Sequence, residues 1–305
     1  MTVIEDFLAH LEYERGCSIN TLKGYAHDLK TLSIFLEERN IPKDERGEID
    51  WTKVRLPDLR AFLRWLGTKR GNKISSIHRR VCSVKAFFKF LKVEGYIDEN
   101  PAEDLKYPKR PASLPKFLSV EEVKKLLDSE KKNPTHQVIL EVLYSTGCRV
   151  SELCHMNLED IDLQRKQITI RGGKGGKDRI VLLSDRAANA LEEYINGYRQ
   201  KLVEEKKDTM TPDDLKAVFL SNRGKRISKR TVQHIVSKLS DELGIRHATP
   251  HMLRHSMASH LTMQHLNLRV LQQLLGHASL DTTQIYANVT AEHVRDEFRD
   301  KLPIS

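Results

Sequence analysis

Residues 166–183, KQITIRGGKGGKDRIVLL, read differently from the rest of the chain. Apolar and polar residues alternate there on either side of a glycine-rich turn. That is the period of a half-buried strand, so the stretch predicts a two-stranded hairpin. On both sides of it the period is helical. "THQVILEVLYST" (135–146) predicts a helix closed by Gly147, and "SVEEVKKLLDSEKK" (119–132) one opened by the capping pair Ser119 and Glu122. Downstream, "DRAANALEEYINGYRQKLVEE" (185–205) predicts a helix, followed by a polar surface loop over 205–214 and a short strand or edge segment at "AVFLS" (217–221). Helices are predicted again at about 228–243, 250–263, 267–275, 280–288 and 291–300. One hairpin in a helical setting means a mostly α domain with a small antiparallel β-sheet.

The first hundred residues predict helices only, over 2–15, 18–39, 56–69 and 74–94, with a short turn near 101–105. "KYPKRPASLPKFLS" (106–119) then carries three prolines and four basic residues, the composition of an extended linker. The expected organisation is therefore mainly α with two domains. An all-α domain spans 1–105, a linker 106–117, and the mostly α domain with its sheet 118–305.

At 305 residues, 39% hydrophobic and 30% charged, the composition is that of a globular protein. No apolar run approaches the roughly 18 residues that cross a bilayer, and "MTVIEDFLAHLEYERG" has the acids of an amphipathic helix rather than a leader, which implies a cytoplasmic protein with no membrane partner. Cys17, Cys82, Cys148 and Cys154 lack zinc-finger spacing and read as reduced and mostly buried. The net charge of +9 implies a polyanionic partner, and its distribution says where. Residues 1–50 hold 6 Lys/Arg against 11 Asp/Glu, a net of −5. Residues 51–92 hold 12 Lys/Arg against Asp58 alone, a net of +11, on segments whose apolar residues keep helical spacing. Cations on the solvent-facing sides of such helices suit a phosphate backbone, and Arg64, Lys69, Arg70, Lys73, Arg79, Arg80 and Lys85 are the expected contacts.

Four motifs carry chemistry. In "ATPHMLRHS", Thr249 can cap a helix with Pro250 at its first position, and His251 and Arg254, three apart, share a face near its positive end. Free N–H groups, a guanidinium and an imidazole there make a phosphate site. His251 and His255 have metal-ligand spacing, but Met252 replaces the Glu of HExxH, so no metal is expected. In "YSTGCRVSELCHM", Gly147 ends one helix, Arg149 opens the next, and Glu152 follows three residues on, placed to orient the guanidinium. The hairpin turn presents Lys174 and Lys177 among four glycines without the pattern of a nucleotide loop. In "LLGHASLDTTQIYANV" (274–289), one continuous helix would set His277 and Tyr286 about 180° apart. Gly276 breaks it, and permits both side chains to reach one site.

Arg149, Lys174, His251-x-x-Arg254, Gly276-His277 and Tyr286 stand in the order and approximate spacing of the tyrosine recombinase (phage integrase, Xer-like) family. "SINTLKGYAHDLKTLSIFL" (18–36) resembles its N-terminal, SAM-like DNA-clamping helices, so the resemblance runs nearly end to end. Cys148 replaces the more usual aliphatic residue, and the tail "RDKLPIS" lacks the His-Pro-Arg-like ending of many Xer proteins. The resemblance implies site-specific cutting and rejoining of double-stranded DNA through a 3′-phosphotyrosyl intermediate on Tyr286. Arg149, Arg254 and His277 would stabilise the phosphorane oxygens, Lys174 protonate the leaving 5′-oxygen, His251 assist the phenol, and Glu152 hold Arg149. Lys177 is a further expected DNA contact. No metal or nucleotide cofactor is implied. Four protomers would assemble on two sites through the C-terminal helix "TAEHVRDEFRDKL", with Val294 and Phe298 as its apolar contacts, and the resemblance leaves room for accessory proteins as further partners. The rival readings are a type IB topoisomerase-like nicking-closing enzyme, a catalytically silent DNA-binding protein and a metal-dependent nuclease, the last weakened by the missing carboxylate motif.

Overall fold

The computed structural model describes residues 2–108, 117–129, 133–172, 178–275 and 301–303. It divides into two units, Met1–Ser113 and Leu114–Ser305. The first is a helical bundle of α1 (Val3–Tyr13), α2 (Ile19–Glu38), α3 (Leu56–Thr68) and α4 (Ile74–Val93). Local chemistry sets the helix starts. Thr2 and Glu5 form a reciprocal capping box on α1, and the Ser18 side chain accepts from the Thr21 N–H at the start of α2. Rings fill the core: Phe87 packs edge-on against Trp51 at 4.8 Å and Phe7 at 5.4 Å between centroids. On α4 the buried stripe runs Ile77, Val81, Val84, Phe88, Leu91, alternating steps of four and three. Tyr107, expected in the linker, stacks on His78 of α4 at 4.6 Å, so the first unit continues past residue 105.

The second unit holds α5 (Val120–Ser129), α6 (Pro134–Thr146) and α7 (Val150–His155), then three short antiparallel strands in the order β1 (Ile161–Asp162), β2 (Gln167–Ile170), β3 (Arg179–Leu182). Ile168 faces Val181 across the predicted hairpin, and β1 adds an edge that its two residues were too short to signal. α8 (Asp185–Glu193) passes through a π-helical stretch, Tyr194–Arg199, into α9 (Gln200–Lys206). α10 (Pro212–Lys216) occupies part of the expected loop, because Thr211, Pro212 and Asp214 make a capping box with proline at its first position. "AVFLS" makes isolated bridges, Ala217 with Asn157 and Leu220 with Arg226, instead of a strand of the sheet. α11 (Lys229–Glu242), α12 (Pro250–Met263) and α13 (Leu268–Leu275) complete the described elements. α6 is buried along almost its whole length, and α8 and α12 pack on it. Cys148 and Cys154 are buried, whereas Cys82 is exposed, which corrects the expectation for that thiol. No described helix is long and apolar enough to cross a membrane. The expected helices at 280–288 and 291–300 lie outside the described residues.

Candidate active site

Gly147 ends α6 in the left-handed conformation, φ +58°. A Cβ there would collide with Met257 Cε and lie 3.0 Å from Leu275 Cδ2, so α12 and α13 approach the chain where only glycine fits. Two residues on, Arg149 caps α7. Its backbone N–H donates to Glu152 Oε2 and its Nη1 to Glu152 Oε1, both at 2.7 Å, so Glu152 engages Arg149 at both oxygens.

A second arginine shares that carboxylate. Arg179, the first residue of β3, donates from Nη1 to Oε1 at 3.0 Å and from Nη2 to Oε2 at 2.7 Å. Its Nε donates to the Leu274 carbonyl at 3.3 Å. Burial alone would raise the Glu152 carboxyl, but hydrogen bonds from Arg179 and from the Arg149 backbone and side chain outweigh it and hold the group at about 2. Glu152 is therefore ionised at neutral pH. Arg179 is not among the residues expected from the sequence. Its signal was parity: residues 179 and 181 share a strand face, Val181 is fully buried, and a cation on that face needs a carboxylate.

Arg254, on α12, is buried and bonds carbonyls: Nη1 to Gly147 at 2.6 Å and Nη2 to Leu275 at 2.7 Å. Burial lowers its pKa, Arg149 and Arg179 lower it further against the pull of Glu152, and at about 10 it still carries its charge at neutral pH. Each bonded Nη has a second N–H for another acceptor. Three guanidiniums around one carboxylate leave a local net charge of +2, suited to the oxygens of a phosphodiester. The Arg149 side chain is 34% exposed, against 12% for Arg179 and 8% for Glu152, so of the three it is the one turned to solvent.

α12 starts as expected. The Thr249 hydroxyl accepts from the Met252 N–H at 3.2 Å, with Pro250 at the first position. His251 follows in that first turn and is exposed, while Arg254, one turn on, is buried. Among the described residues no group of three or more His, Cys, Asp or Glu is arranged to hold a metal ion. Deeper in α12, His260 fixes the helix. Its Nε2 lies 2.9 Å from the Leu118 carbonyl, which can only accept, so Nδ1 is the acceptor for the Tyr144 hydroxyl, also at 2.9 Å. Lys174, Lys177, Gly276, His277 and Tyr286 lie outside the described residues.

In the first unit, Arg64, Lys69, Arg70, Lys73 and Arg79 are exposed. The other two basic residues expected at solvent-facing positions are committed to the protein. Lys85 donates to the Glu103 and Leu105 carbonyls at 2.8 and 3.1 Å. Arg80 is only 9% exposed, because it falls three residues after Ile77 and four before Val84, on the buried stripe of α4. Beneath this face lies Asp28, fully buried, which takes both Nη groups of Arg79 and the Ser83 hydroxyl and has Arg80 Nε at 3.6 Å.

A helical bundle with exposed cations along α3 and α4, and a helical unit whose small sheet and glycine turn gather arginines near one carboxylate, suit a protein that binds phosphodiesters. The comparisons narrow it. Residues 4–95 match the phage integrase N-terminal SAM-like domain and residues 116–293 the phage integrase family, to which the chain belongs. It is similar to tyrosine recombinase XerC of Thermodesulfovibrio yellowstonii, at 38% identity over 99% of this chain and 96% of that one. It is also similar to tyrosine recombinase XerA of Pyrococcus furiosus, at 39% identity over 96% and 92%. A solved structure of the Tn1549 transposon integrase in complex with a circular intermediate DNA shares the fold, with TM-score 0.70 and 19% identity over 98% of this chain and 99% of that one. The chain is thus a site-specific tyrosine recombinase, and the topoisomerase reading is not favoured.

Proposed function

We propose that this recombinase cuts its DNA with the Tyr286 phenol as nucleophile. The phenolic oxygen bonds to phosphorus, the bond from phosphorus to the 5′-oxygen breaks, and a 3′-phosphotyrosyl linkage and a free 5′-hydroxyl result. His251 takes or shares the phenolic proton, and Lys174 gives one to the leaving oxygen. Arg149 and Arg254 donate to the non-bridging oxygens as charge builds there, His277 adds a further donor, and Glu152 keeps Arg149 aimed. Rejoining is the reverse, with a 5′-hydroxyl attacking the phosphotyrosine. The observation that carries this reading is the arginine cluster at Gly147, in which Glu152 fixes a solvent-facing Arg149 and Arg254 lies across the same glycine.

The partner is double-stranded DNA bearing a specific site. Arg64, Lys69, Arg70, Lys73 and Arg79 contact its backbone from the first unit, and Lys177 from the hairpin turn. Neighbours of the same fold include a lambda integrase tetramer bound to a Holliday junction, with TM-score 0.66 and 20% identity over 93% of this chain and 79% of that one. On our reading this chain likewise works as a homotetramer on DNA, joined through its C-terminal helix and acting in the cytoplasm.

The test is covalent capture on a nicked suicide duplex, selected from a random-sequence pool by the unmodified protein. Tyr286→Phe is expected to bind that duplex and form no adduct, and adduct formation by the parent is expected to survive EDTA. An undiminished adduct with Tyr286→Phe would sink the nucleophile assignment.

A further inference from the structure

We infer that Arg179 is a positioning residue of the cleavage reaction, holding Arg149 in its phosphate-facing orientation through Glu152 and tying that ion pair to the end of α13. The inference rests on the proposed role of Arg149 and extends it to a residue outside the expected set.

Glu152 alone is a poor anchor. Arg149 reaches Oε2 with its backbone N–H and Oε1 with Nη1, one donor to each oxygen, so the carboxylate can still tilt and the guanidinium follows it. Arg179 removes that freedom. It binds both carboxylate oxygens end-on, 3.0 and 2.7 Å away, which fixes the carboxylate plane in the fork geometry that arginine favours. The remaining Nε–H faces another way and takes the Leu274 carbonyl. One guanidinium thus joins three elements: β3, on which it is seated, α7 through Glu152, and α13 through its last turn.

Leu274 and Leu275 are the last two residues of α13, where carbonyls have no partner within the helix. Arg179 takes the first of these carbonyls and Arg254 the second. Guanidiniums at that end also oppose the negative pole of the helix. The point from which the chain runs on toward His277 and Tyr286 is therefore held by one arginine proposed to touch the phosphate and by another that orients such an arginine. Lysine cannot replace Arg179, because a single ammonium cannot fork both carboxylate oxygens and reach a carbonyl on a separate edge.

The experiment measures single-turnover adduct formation on the captured suicide duplex, with the DNA concentration for half-maximal rate, in the full chain. Misplacing an activating group by an ångström costs about a hundredfold, so Arg179→Met and Arg179→Lys should slow adduct formation by about that factor. Half-saturation should stay within about twofold, since uniform binding is not what is lost. Arg179→Met leaves Glu152 buried without its fork and could fail to fold, so Glu152→Gln and the double variant Glu152→Gln/Arg179→Met, which removes both charges, complete the set. If Arg179 acts through Glu152, the double variant is about as slow as the slower single one. The pH profile gives a second readout. Without the fork, burial returns the Glu152 carboxyl upward, so the acid limb of the Arg179→Lys rate should move toward neutrality and be absent in Glu152→Gln/Arg179→Lys. Parent-like rates for both Arg179 variants, losses that multiply in the double variant, or an unmoved acid limb would each overturn the inference. Arg149→Ala is the control for the underlying reading: if it cleaves like the parent, the phosphate role of Arg149 falls, whatever Arg179 does.

Discussion

At the scale of single residues, the site depends on one glycine as much as on its arginines. Gly147 supplies the left-handed turn that releases Arg149 from α6, the carbonyl that accepts from Arg254, and the space that Met257 and Leu275 occupy. Gly147→Ala should therefore destabilise the second unit by about 2 kcal/mol, through the left-handed penalty plus the crowding of Met257. It should also slow adduct formation, because Arg149 and Arg254 both take their positions from this turn. A urea midpoint equal to that of the parent would show that the turn bears no strain from a side chain. Glu152 and Arg179 show how differently two partners in one ion pair read from sequence. The i,i+3 spacing from Arg149 exposes Glu152 to inspection, whereas Arg179 is 27 residues away and joins the pair only because the hairpin folds back.

At the scale of elements, the sequence reports what repeats and misses what is short or paired at long range. α2, α4, α6 and α12 run long enough for their apolar stripes to be counted; α2, α6 and α12 begin at a side-chain cap, and the left-handed Gly95 follows the end of α4. β1 has two residues, and α10 five behind a capping box, so neither offers a period. Arg80 failed for a related reason: net charge located the basic segment, but only the stripe assigns each cation inside or out. His260 shows the same long-range limit, since it ties α12 to Tyr144 of α6 and to the Leu118 carbonyl ahead of α5. Burial lowers its pKa below the ordinary 6.5, against smaller opposing effects of the Leu118 carbonyl and Glu121. The fold therefore favours the neutral ring. Its contribution is complete above about pH 6.5 and is lost as pH falls through the depressed folded value. Glu121 from α5 and Tyr144 from α6 face it, and neither changes charge in that window from a cause that reverses the sign. His260→Gln can keep one donor and one acceptor, so its unfolding free energy should fall less steeply than the parent's from about pH 6.5 to 5. Parallel curves for the two proteins would remove His260 as the origin of that slope.

At the scale of the whole chain, the charge is segregated: −5 over residues 1–50 and +11 over residues 51–92. The first unit thus places an acidic and a basic half on one bundle, and a basic face binds a phosphate backbone chiefly by releasing its condensed counterions. Such binding has a signature that separates contact from support. Each lysine or arginine that neutralises a phosphate contributes about 0.9 to the slope of log affinity against log salt concentration. Arg64 is exposed, whereas Arg80 is buried against Asp28 with Arg79 standing over the same carboxylate. Arg64→Gln should therefore lower the salt slope by about one and leave the unfolding midpoint unchanged. Arg80→Gln should leave the slope unchanged and lower the midpoint, because it strips a buried charge from a paired cluster. Asp28→Asn should weaken DNA binding as well as the fold, since the carboxylate that orders the exposed Arg79 would lose its charge. Measuring the three variants on one duplex across a salt series decides the matter. If Arg80→Gln lowers the slope as much as Arg64→Gln does, the buried arginine reaches the phosphates, and exposure is the wrong guide to which cations of this face hold DNA.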